Sequence, residues 1–166
     1  ALPESRAHEC LDFGGTLHSA RVAESIAILG ATLEADGFLR RGVNYWYRQG
    51  GDLVQVVNVQ RSRWGEQHYV NVSFWLMRLG TAKWPREQDC HVRMRCDDVC
   101  RSGHRLQSAL DAESKMRVDV KRIVSRELLP FLRATTTSEG LAAKKRRALL
   151  KRVAVVVKAQ RLLGVE

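Results

Sequence analysis

Apolar and polar residues alternate through the middle of the chain, and this period of two predicts β-strands there. The alternation is clearest from His68 to Met77. On one side of that strand stand Val70, Val72, Phe74 and Leu76, and on the other Tyr69, Asn71, Ser73 and Trp75. The first side is predicted to face a hydrophobic core.

Three more segments complete the predicted sheet: Val43 to Arg48, Leu53 to Arg61 and His91 to Cys96. The second is apolar on both faces at its start, which is typical of a central strand. The run Gln-Gly-Gly-Asp at 49–52 is a turn signal and predicts a hairpin between the first two. The predicted fold class is therefore α+β, with an antiparallel sheet of about four strands preceded by one helix and followed by two or three.

Helical periodicity appears on both sides of the sheet. From about Leu17 to Ala35 apolar residues recur at steps of three and four, and Gly37 is placed to end that helix. A second helix is predicted from about Asp111 to Arg133, and Pro130 inside it predicts a kink or a break. The segment from Asp97 to Gly103 is expected to be a loop.

A third helix is predicted from about Glu139 to Leu163, with Ser138 able to cap its start and Gly164 to close it. Its apolar stripe opposes a row of lysines and arginines, so this is an amphipathic basic helix. The apolar stripe must pack on the sheet, on another helix or on a partner.

Length and composition fit a single domain. The chain has 166 residues, 45% hydrophobic and 28% charged, enough to bury a core without covalent staples. The predicted organisation is an N-terminal arm at 1–16, an α+β domain at 17–134, and the basic helix at 138–164 packed on the same domain. No apolar run reaches the roughly 18 residues of a membrane span, and the sequence shows no secretory signal pattern.

The formal net charge is +10, and it is unevenly distributed. The first 37 residues are acidic overall, so the basic excess lies in the remainder of the chain. This positive charge favours partners of opposite charge: an acidic protein face, nucleic acid or an anionic membrane surface. Arginine outnumbers lysine, which suits bidentate contact with carboxylate or phosphate.

Four cysteines occur, and a chain of this size does not need disulfides, so reduced thiols are expected. Zinc-type ligands gather at Cys90, His91, Cys96, Cys100 and His104. The spacing lacks a Cys-x2-Cys pair, and strand alternation would direct Cys90 and His91 to opposite sides. We therefore predict no metal and no cofactor, with a zinc site as the less favoured alternative.

A longer pattern suggests a family. It consists of Glu34-x-x-Gly37-Phe38-x-Arg40-Arg41-Gly42, then 45–48, then Val56-Val57-Asn58-Val59-Gln60-Arg61-Ser62, then Asp89-Cys90-His91-Val92-Arg93-x-Arg95. This resembles the bacterial family catalogued as domain of unknown function 4304, over roughly Leu29 to Arg95. The resemblance implies a small α+β domain of the bacterial cytoplasm. It implies no activity, so no catalytic role transfers to any residue.

The sequence contains no nucleophile elbow, metalloprotease motif or phosphate-binding glycine loop, and we expect no catalysis. One alternative is a divergent metal-dependent nuclease. The helix-then-strands order, with Asp52 followed by Asn58 and Gln60, distantly resembles enzymes that hold magnesium on adjacent strands. Amides bind a hard cation weakly, so Asn58 and Gln60 are better interpreted as a polar pair bonded to neighbouring backbone.

Flat side chains and guanidinium groups mark a candidate binding surface. Its members are Tyr45, Tyr47, Trp64, Tyr69, Trp75, Trp84, Arg93 and Arg95. These residue types dominate protein hot spots and single-strand stacking platforms, although aromatic residues under a helix are ordinary core. Trp64 and Trp84 fall in predicted loops and are the strongest candidates for exposure.

The leading hypothesis is a non-catalytic module that binds another protein with an acidic face, as a toxin-immunity protein, an inhibitor or an assembly subunit. The alternative is a protein that binds DNA or RNA through the basic helix. Its candidate phosphate contacts are Lys144, Lys145, Arg146, Arg147, Lys151 and Arg152. The sequence predicts neither the identity of the partner nor the oligomeric state.

Overall fold

The computed structural model describes residues 13–65, 67–111 and 118–165, and an antiparallel sheet lies at the centre of that part of the chain. Its strands are β1 (Leu39–Arg41), β2 (Tyr45–Gln49), β3 (Leu53–Arg61), β4 (His68–Leu76), β5 (Val92–Arg95) and β6 (Ala154–Val155). Each strand pairs antiparallel with the next, so the sheet is a six-stranded meander. The predicted count of about four strands was too low. The strands β1 and β6 are too short for alternation to reveal them.

Strand register divides the sheet into two unlike faces. Val57 lies opposite Val72 and Leu53 lies opposite Leu76, and all four side chains are buried in the main core. The predicted inward set of β4 is confirmed, since Val70, Val72, Phe74 and Leu76 all belong to that core. A slip of one residue would reverse both faces, so burial on one side determines the register.

The first helix, α1 (Phe13–Ala35), packs on the core face with Leu29 and Leu33 fully buried. It ends as predicted at Gly37, where φ is 89°. The amide of Gly37 donates to the Glu34 carbonyl and the amide of Phe38 to the Leu33 carbonyl, which is a Schellman motif. The predicted arm at 1–16 lies largely outside the described residues, and α1 already includes 13–16.

Helices follow β5 without an intervening loop: α2 (Cys96–Val99) and α3 (Gly103–Ala109). The predicted loop from Asp97 to Gly103 is thus reduced to a turn at 100–102 between the two helices. The next helix begins as α4 (Val120–Ile123), passes through a π-helical turn (Val124–Leu128) and continues as α5 (Leu129–Arg133). Pro130 does not break this helix. The wide turn directly before it accommodates a residue that cannot donate a backbone hydrogen bond.

The C-terminal region is segmented into α6 (Ser138–Ala142), a 3₁₀ turn (Lys144–Arg146), α7 (Arg147–Leu150), β6 and α8 (Val157–Leu163). The predicted single helix from Glu139 to Leu163 was wrong. Its valine-rich centre instead pairs with β5, Val155 lying opposite Val92, and β-branched residues suit that extended state. Thr137, not Ser138, supplies the capping hydroxyl of α6, which accepts from the amide of Gly140. Gly164 ends α8 in the left-handed conformation, as predicted.

The helices cover one face of the sheet. The main core includes Trp46 from β2, Phe74 from β4, Leu106 from α3, Leu132 from α5 and Leu163 from α8. The opposite face is here called the open face, and the buried apolar cluster described on it is small: Tyr47, Val54, Val56 and Cys90. Within the described ranges, no helix combines the length and apolar character needed to cross a bilayer.

Candidate binding groove on the open face

Part of the open face is covered by the connection between β4 and β5, residues 77–91. This loop contains two 3₁₀ turns, Met77–Leu79 and Glu87–Asp89. Its Trp84 ring meets the Tyr47 ring edge-on at a centroid distance of 5.2 Å, and the Arg41 guanidinium lies 4.3 Å from the Trp84 ring centroid. Beneath them a small second core forms from Tyr47, Val54, Val56 and Cys90. The loop therefore occupies the apolar half of the open face.

The remaining, polar half is a groove of about 500 Å³, here called the sheet groove. Its lining comprises Gln60, Asn71, Glu87, Gln88, Arg93, Met94, Arg95, Asp98, Arg152, Val153 and Ala154. The strands β3, β4 and β5 contribute to it, together with the 77–91 loop and the segment that enters β6. Residues far apart in the sequence thus meet at one surface.

Amide side chains on neighbouring strands are bonded to one another beside the sheet groove. Asn71 Nδ2 donates to Gln60 Oε1 at 3.0 Å and to Asn58 Oδ1 at 3.3 Å. Asn58 Nδ2 donates in turn to the Asn44 carbonyl at 3.0 Å. Asn58 and Asn71 are buried, so these bonds hold the amides in place. Asn58 is thus bonded to neighbouring backbone, as interpreted, whereas the bond of Gln60 is to the side chain of Asn71.

Arginines give the sheet groove its charge. Arg93 lies opposite Ser73 and Arg95 opposite Asn71, which places both on the open face. The Arg95 guanidinium stacks 4.0 Å from the Tyr69 ring centroid, and Arg93 Nη1 donates to the Gln88 carbonyl at 3.5 Å. Among the described residues, Arg93, Arg95 and Arg152 form no salt bridge with a carboxylate.

The structure separates the predicted aromatic surface into two groups. Trp64 is 96% exposed at the tip of the β3–β4 hairpin, and Tyr69 is half-buried beside Arg95. The others, Tyr45, Tyr47, Trp75 and Trp84, pack around the 77–91 loop. Tyr47 is buried, and burial raises its pKa to about 12. Among these aromatic residues, Trp64 is thus the one fully exposed ring, Tyr47 is buried, and Tyr45, Tyr69, Trp75 and Trp84 are half-buried.

The predicted phosphate contacts do not share a helix face. Lys144, Lys145, Arg147, Lys151 and Arg152 are exposed. Arg146 is buried, its guanidinium donates to the Gly140 carbonyl, and burial lowers its pKa. Arg146 therefore supports the fold, contrary to its predicted surface role. Arg152 lines the sheet groove, a position that the sequence pattern did not reveal.

The ligand set of the zinc alternative is divided by the sheet. Cys90 lies in the small core under the 77–91 loop, whereas Cys96 and Cys100 lie in the main core with their sulfurs 3.3 Å apart. The His91 Nδ1 accepts a hydrogen bond of 3.0 Å from the amide of Leu76. No group of three or more His, Cys, Asp or Glu residues in the described part of the chain is arranged to hold a metal ion.

Asp52, the carboxylate of the nuclease alternative, is bound within the fold. Its Oδ1 accepts from the amide of Ser138 at 2.7 Å, and its Oδ2 accepts from the Ser138 hydroxyl. These bonds lower the pKa of Asp52, with the Ser138 hydroxyl the largest cause. Asp52 does not line the sheet groove and is not brought together with Gln60 there.

These features define a class: a small α+β domain with a helix-covered meander and a partly open opposite face. The chain belongs to the family described as Domain of unknown function (DUF4304), whose model matches residues 29–134. The match covers more than half of the chain and confirms the family resemblance. It includes β1 to β5 and most of the sheet groove, but not Arg152. No curated protein and no solved structure matches the chain.

Proposed function

We propose that this chain is a non-catalytic module that binds another protein through the sheet groove and the nearby hairpin tip at Trp64. The observation that supports this is the one-sided covering of the sheet. Helices bury one face, while the polar half of the other keeps Arg93 and Arg95 directed outward, and neither forms a salt bridge with a carboxylate in the described part of the chain. Arginine, tyrosine and tryptophan are the residue types enriched at interface hot spots, and here Arg95 stacks on Tyr69.

Trp64 adds an apolar anchor to that surface. A tryptophan buries about 150–250 Å² when it enters an interface, and here the side chain is almost fully exposed. Arg95 is already stacked on Tyr69, so less side-chain entropy is lost when it binds. An immunity, inhibitor or assembly role lies within this proposal, because each requires a rigid binding face and no chemistry of its own.

The experiment is affinity purification of the tagged chain from its native host after nuclease treatment, with mass spectrometry of the recovered proteins. We expect a partner in stoichiometric amount that is lost from the double variant Trp64→Ala, Arg95→Glu and retained by Lys158→Glu, which reverses an exposed charge on α8. Circular dichroism establishes that the variants are folded. Equal recovery by the groove variant and the control would contradict the proposed surface.

Nucleic-acid binding is the second candidate. It is favoured by the exposed cations Lys144, Lys145, Arg147 and Lys151, which belong to the same C-terminal segment as Arg152 of the sheet groove. Phosphate binding should weaken by orders of magnitude between about 50 and 200 mM salt, because counterions are released. A titration of labelled single-stranded and double-stranded oligonucleotides over that range tests it. If the combined substitutions Lys144→Glu, Lys145→Glu and Arg147→Glu leave oligonucleotide binding unchanged, the C-terminal segment does not contact the nucleic acid.

A further inference from the structure

We infer that the sheet groove binds an extended, acidic segment of the partner protein, with carboxylate side chains at alternate positions. The inference rests on the proposed function and specifies the chemistry of the partner. Three observations support it: the spacing of two arginines on β5, the way their guanidinium groups are held, and the mixed charge of the groove lining.

The spacing comes from the strand itself. Arg93 and Arg95 stand two residues apart on one face of β5, opposite Ser73 and Asn71 of β4. Side chains at i and i+2 of a strand are about 6.6–6.8 Å apart along its axis. An extended peptide repeats its side chains with the same period, so carboxylates at i and i+2 match the two arginines.

The guanidinium groups are held ready for a ligand. The Tyr69 ring supports Arg95 from one side, and the Gln88 carbonyl accepts from Arg93. Ala154, exposed and opposite Arg93 on β6, has a side chain too small to cover it. Since an arginine presents its donors as a planar fork, each can bind one carboxylate with two parallel hydrogen bonds.

The lining distinguishes a peptide from a nucleic-acid strand. Glu87 and Asp98 share the groove with Arg93, Arg95 and Arg152. A phosphodiester backbone carries a charge at every unit and would be repelled where it passes these two carboxylates. A peptide can place its acidic residues at the arginines and neutral or basic residues at Glu87 and Asp98. The fixed amides of Asn71 and Gln60 offer further polar contacts.

The test is fluorescence anisotropy with labelled, end-blocked octapeptides of Gly, Ser and Thr that contain two Glu residues. One probe has the Glu residues at alternate positions, a second has them adjacent, and a third has Gln at both alternate positions. We expect the alternate probe to bind at least several-fold more tightly than the adjacent probe. The Gln probe should bind at least tenfold more weakly than the alternate probe, because it cannot form the ion pairs.

Variants identify the site. Arg93→Gln and Arg95→Gln should each weaken binding of the alternate probe about tenfold, equivalent to about 1.4 kcal/mol. Ala154→Phe should weaken it without changing charge, by filling the groove. Lys158→Gln, at an exposed position on α8 outside the groove lining, is the matched control and should leave it unchanged. Arg95→Lys should bind the alternate probe with intermediate affinity, because lysine keeps the positive charge but lacks the planar pair of guanidinium donors.

Three results would overturn the inference: no arginine-dependent peptide binding, equal binding of the alternate and adjacent probes, or displacement of the probe by an oligonucleotide at lower concentration than by unlabelled peptide. If the peptides do not bind while recovery of a protein partner still depends on Trp64 and Arg95, only the carboxylate inference fails. If recovery of a protein partner from the host also does not depend on Trp64 and Arg95, the proposed function fails together with the carboxylate inference.

Discussion

At the residue scale, Asp36 joins three elements of the fold through one carboxylate. Arg48 on β2 pairs with it at 2.7 Å, and Arg133 on α5 binds its other oxygen. Arg48 also donates to Gln55, whose amide donates to the Leu132 carbonyl. Burial raises the pKa of Asp36, but the hydrogen bonds from the two arginines outweigh it, so the pKa lies below its ordinary value.

Replacement of Asp36 by Asn should lower the free energy of unfolding by about 1–3 kcal/mol at pH 7, because Arg48 is left half-buried without its counter-charge. The folded-state pKa is depressed, so this contribution is present above the ordinary value of 3.8 and is lost as pH falls through the folded pKa. Urea unfolding followed by tryptophan fluorescence, repeated at several pH values, measures the free energy of unfolding and its dependence on pH. The difference between wild type and Asp36→Asn should therefore shrink on acidification; a constant difference down to pH 3 would contradict this role.

Gly30 on α1 is required by close packing. A Cβ added there would lie 2.6 Å from Cζ2 of Trp46. That ring is fully buried and its Nε1 donates to Glu34 Oε1, so it cannot move aside freely. Gly30→Ala should therefore cost about 1–3 kcal/mol of overpacking, more than the roughly 1 kcal/mol that alanine gains over glycine in a helix.

Thermal unfolding tests this balance, and Gly65→Ala is the control because nothing lies within 4 Å of its added Cβ. We expect a lower melting temperature for Gly30→Ala and an unchanged one for Gly65→Ala. An unchanged or raised melting temperature for Gly30→Ala would show that Trp46 repacks without cost.

At the element scale, contacts distant in sequence position the short C-terminal helices. The first turn of α6 receives the Asp52 carboxylate from the β2–β3 hairpin, and Thr137 caps the same turn. Gly50 of that hairpin approaches the backbone of Thr136 so closely that an added Cβ would lie 1.9 Å from its carbonyl oxygen. Helices this short have little stability of their own, so such contacts determine where they form.

Asp52→Ala should lower the free energy of unfolding by about 1 kcal/mol through loss of the bonds to Ser138. It should also accelerate amide hydrogen exchange in 138–142 relative to the strands. Glu139→Ala is the control, since its side chain is exposed on the same helix. Exchange rates in α6 that match wild type would exclude this anchoring. Any nuclease assay that uses Asp52→Ala must be compared with this loss of stability.

At the scale of the whole molecule, the sheet separates two cores of unequal protection. Cys96 and Cys100 lie in the main core, and Cys90 lies in the small core beneath the 77–91 loop. Burial raises the pKa of Cys90 to about 12, and the pKa of Cys96 is raised well above its ordinary value by its contact with Cys100 and by burial. In the native state the thiols of Cys90 and Cys96 should therefore react slowly, and that of Cys100 should do so because it is buried.

A thiol-labelling time course in a Cys10→Ser background, resolved by mass spectrometry, tests this order. Cys90 should label first and with little dependence on urea, because opening of one loop exposes it. Cys96 and Cys100 should label with the urea dependence of global unfolding. Labelling of all three at one rate would show that the loop and the main core open together.

Much of this fold follows from local pattern. Alternation identified β2 to β5 and the buried side of β4, and Gly37 and Gly164 mark helix ends because a left-handed residue is needed there. The outward positions of Asn71, Arg93 and Arg95 also follow from alternation. The exposure of Trp64 follows from its position in a predicted loop. Each of these depends only on residues near one another in the chain.

Long-range contacts decided the remainder. Val155 extends beside β5 because a free strand edge is available there, and this pairing outweighs the helical pattern of 139–163. Arg146 turns inward to Gly140, Asp52 is bound by Ser138, and Tyr47 is buried by Trp84. Arg152 joins Arg93 and Arg95 only after the chain returns to the sheet. The sequence by itself determined the faces of the strands, because period-two burial is local. Only the tertiary structure decided which outward residues remain uncovered, because covering depends on segments distant in the chain.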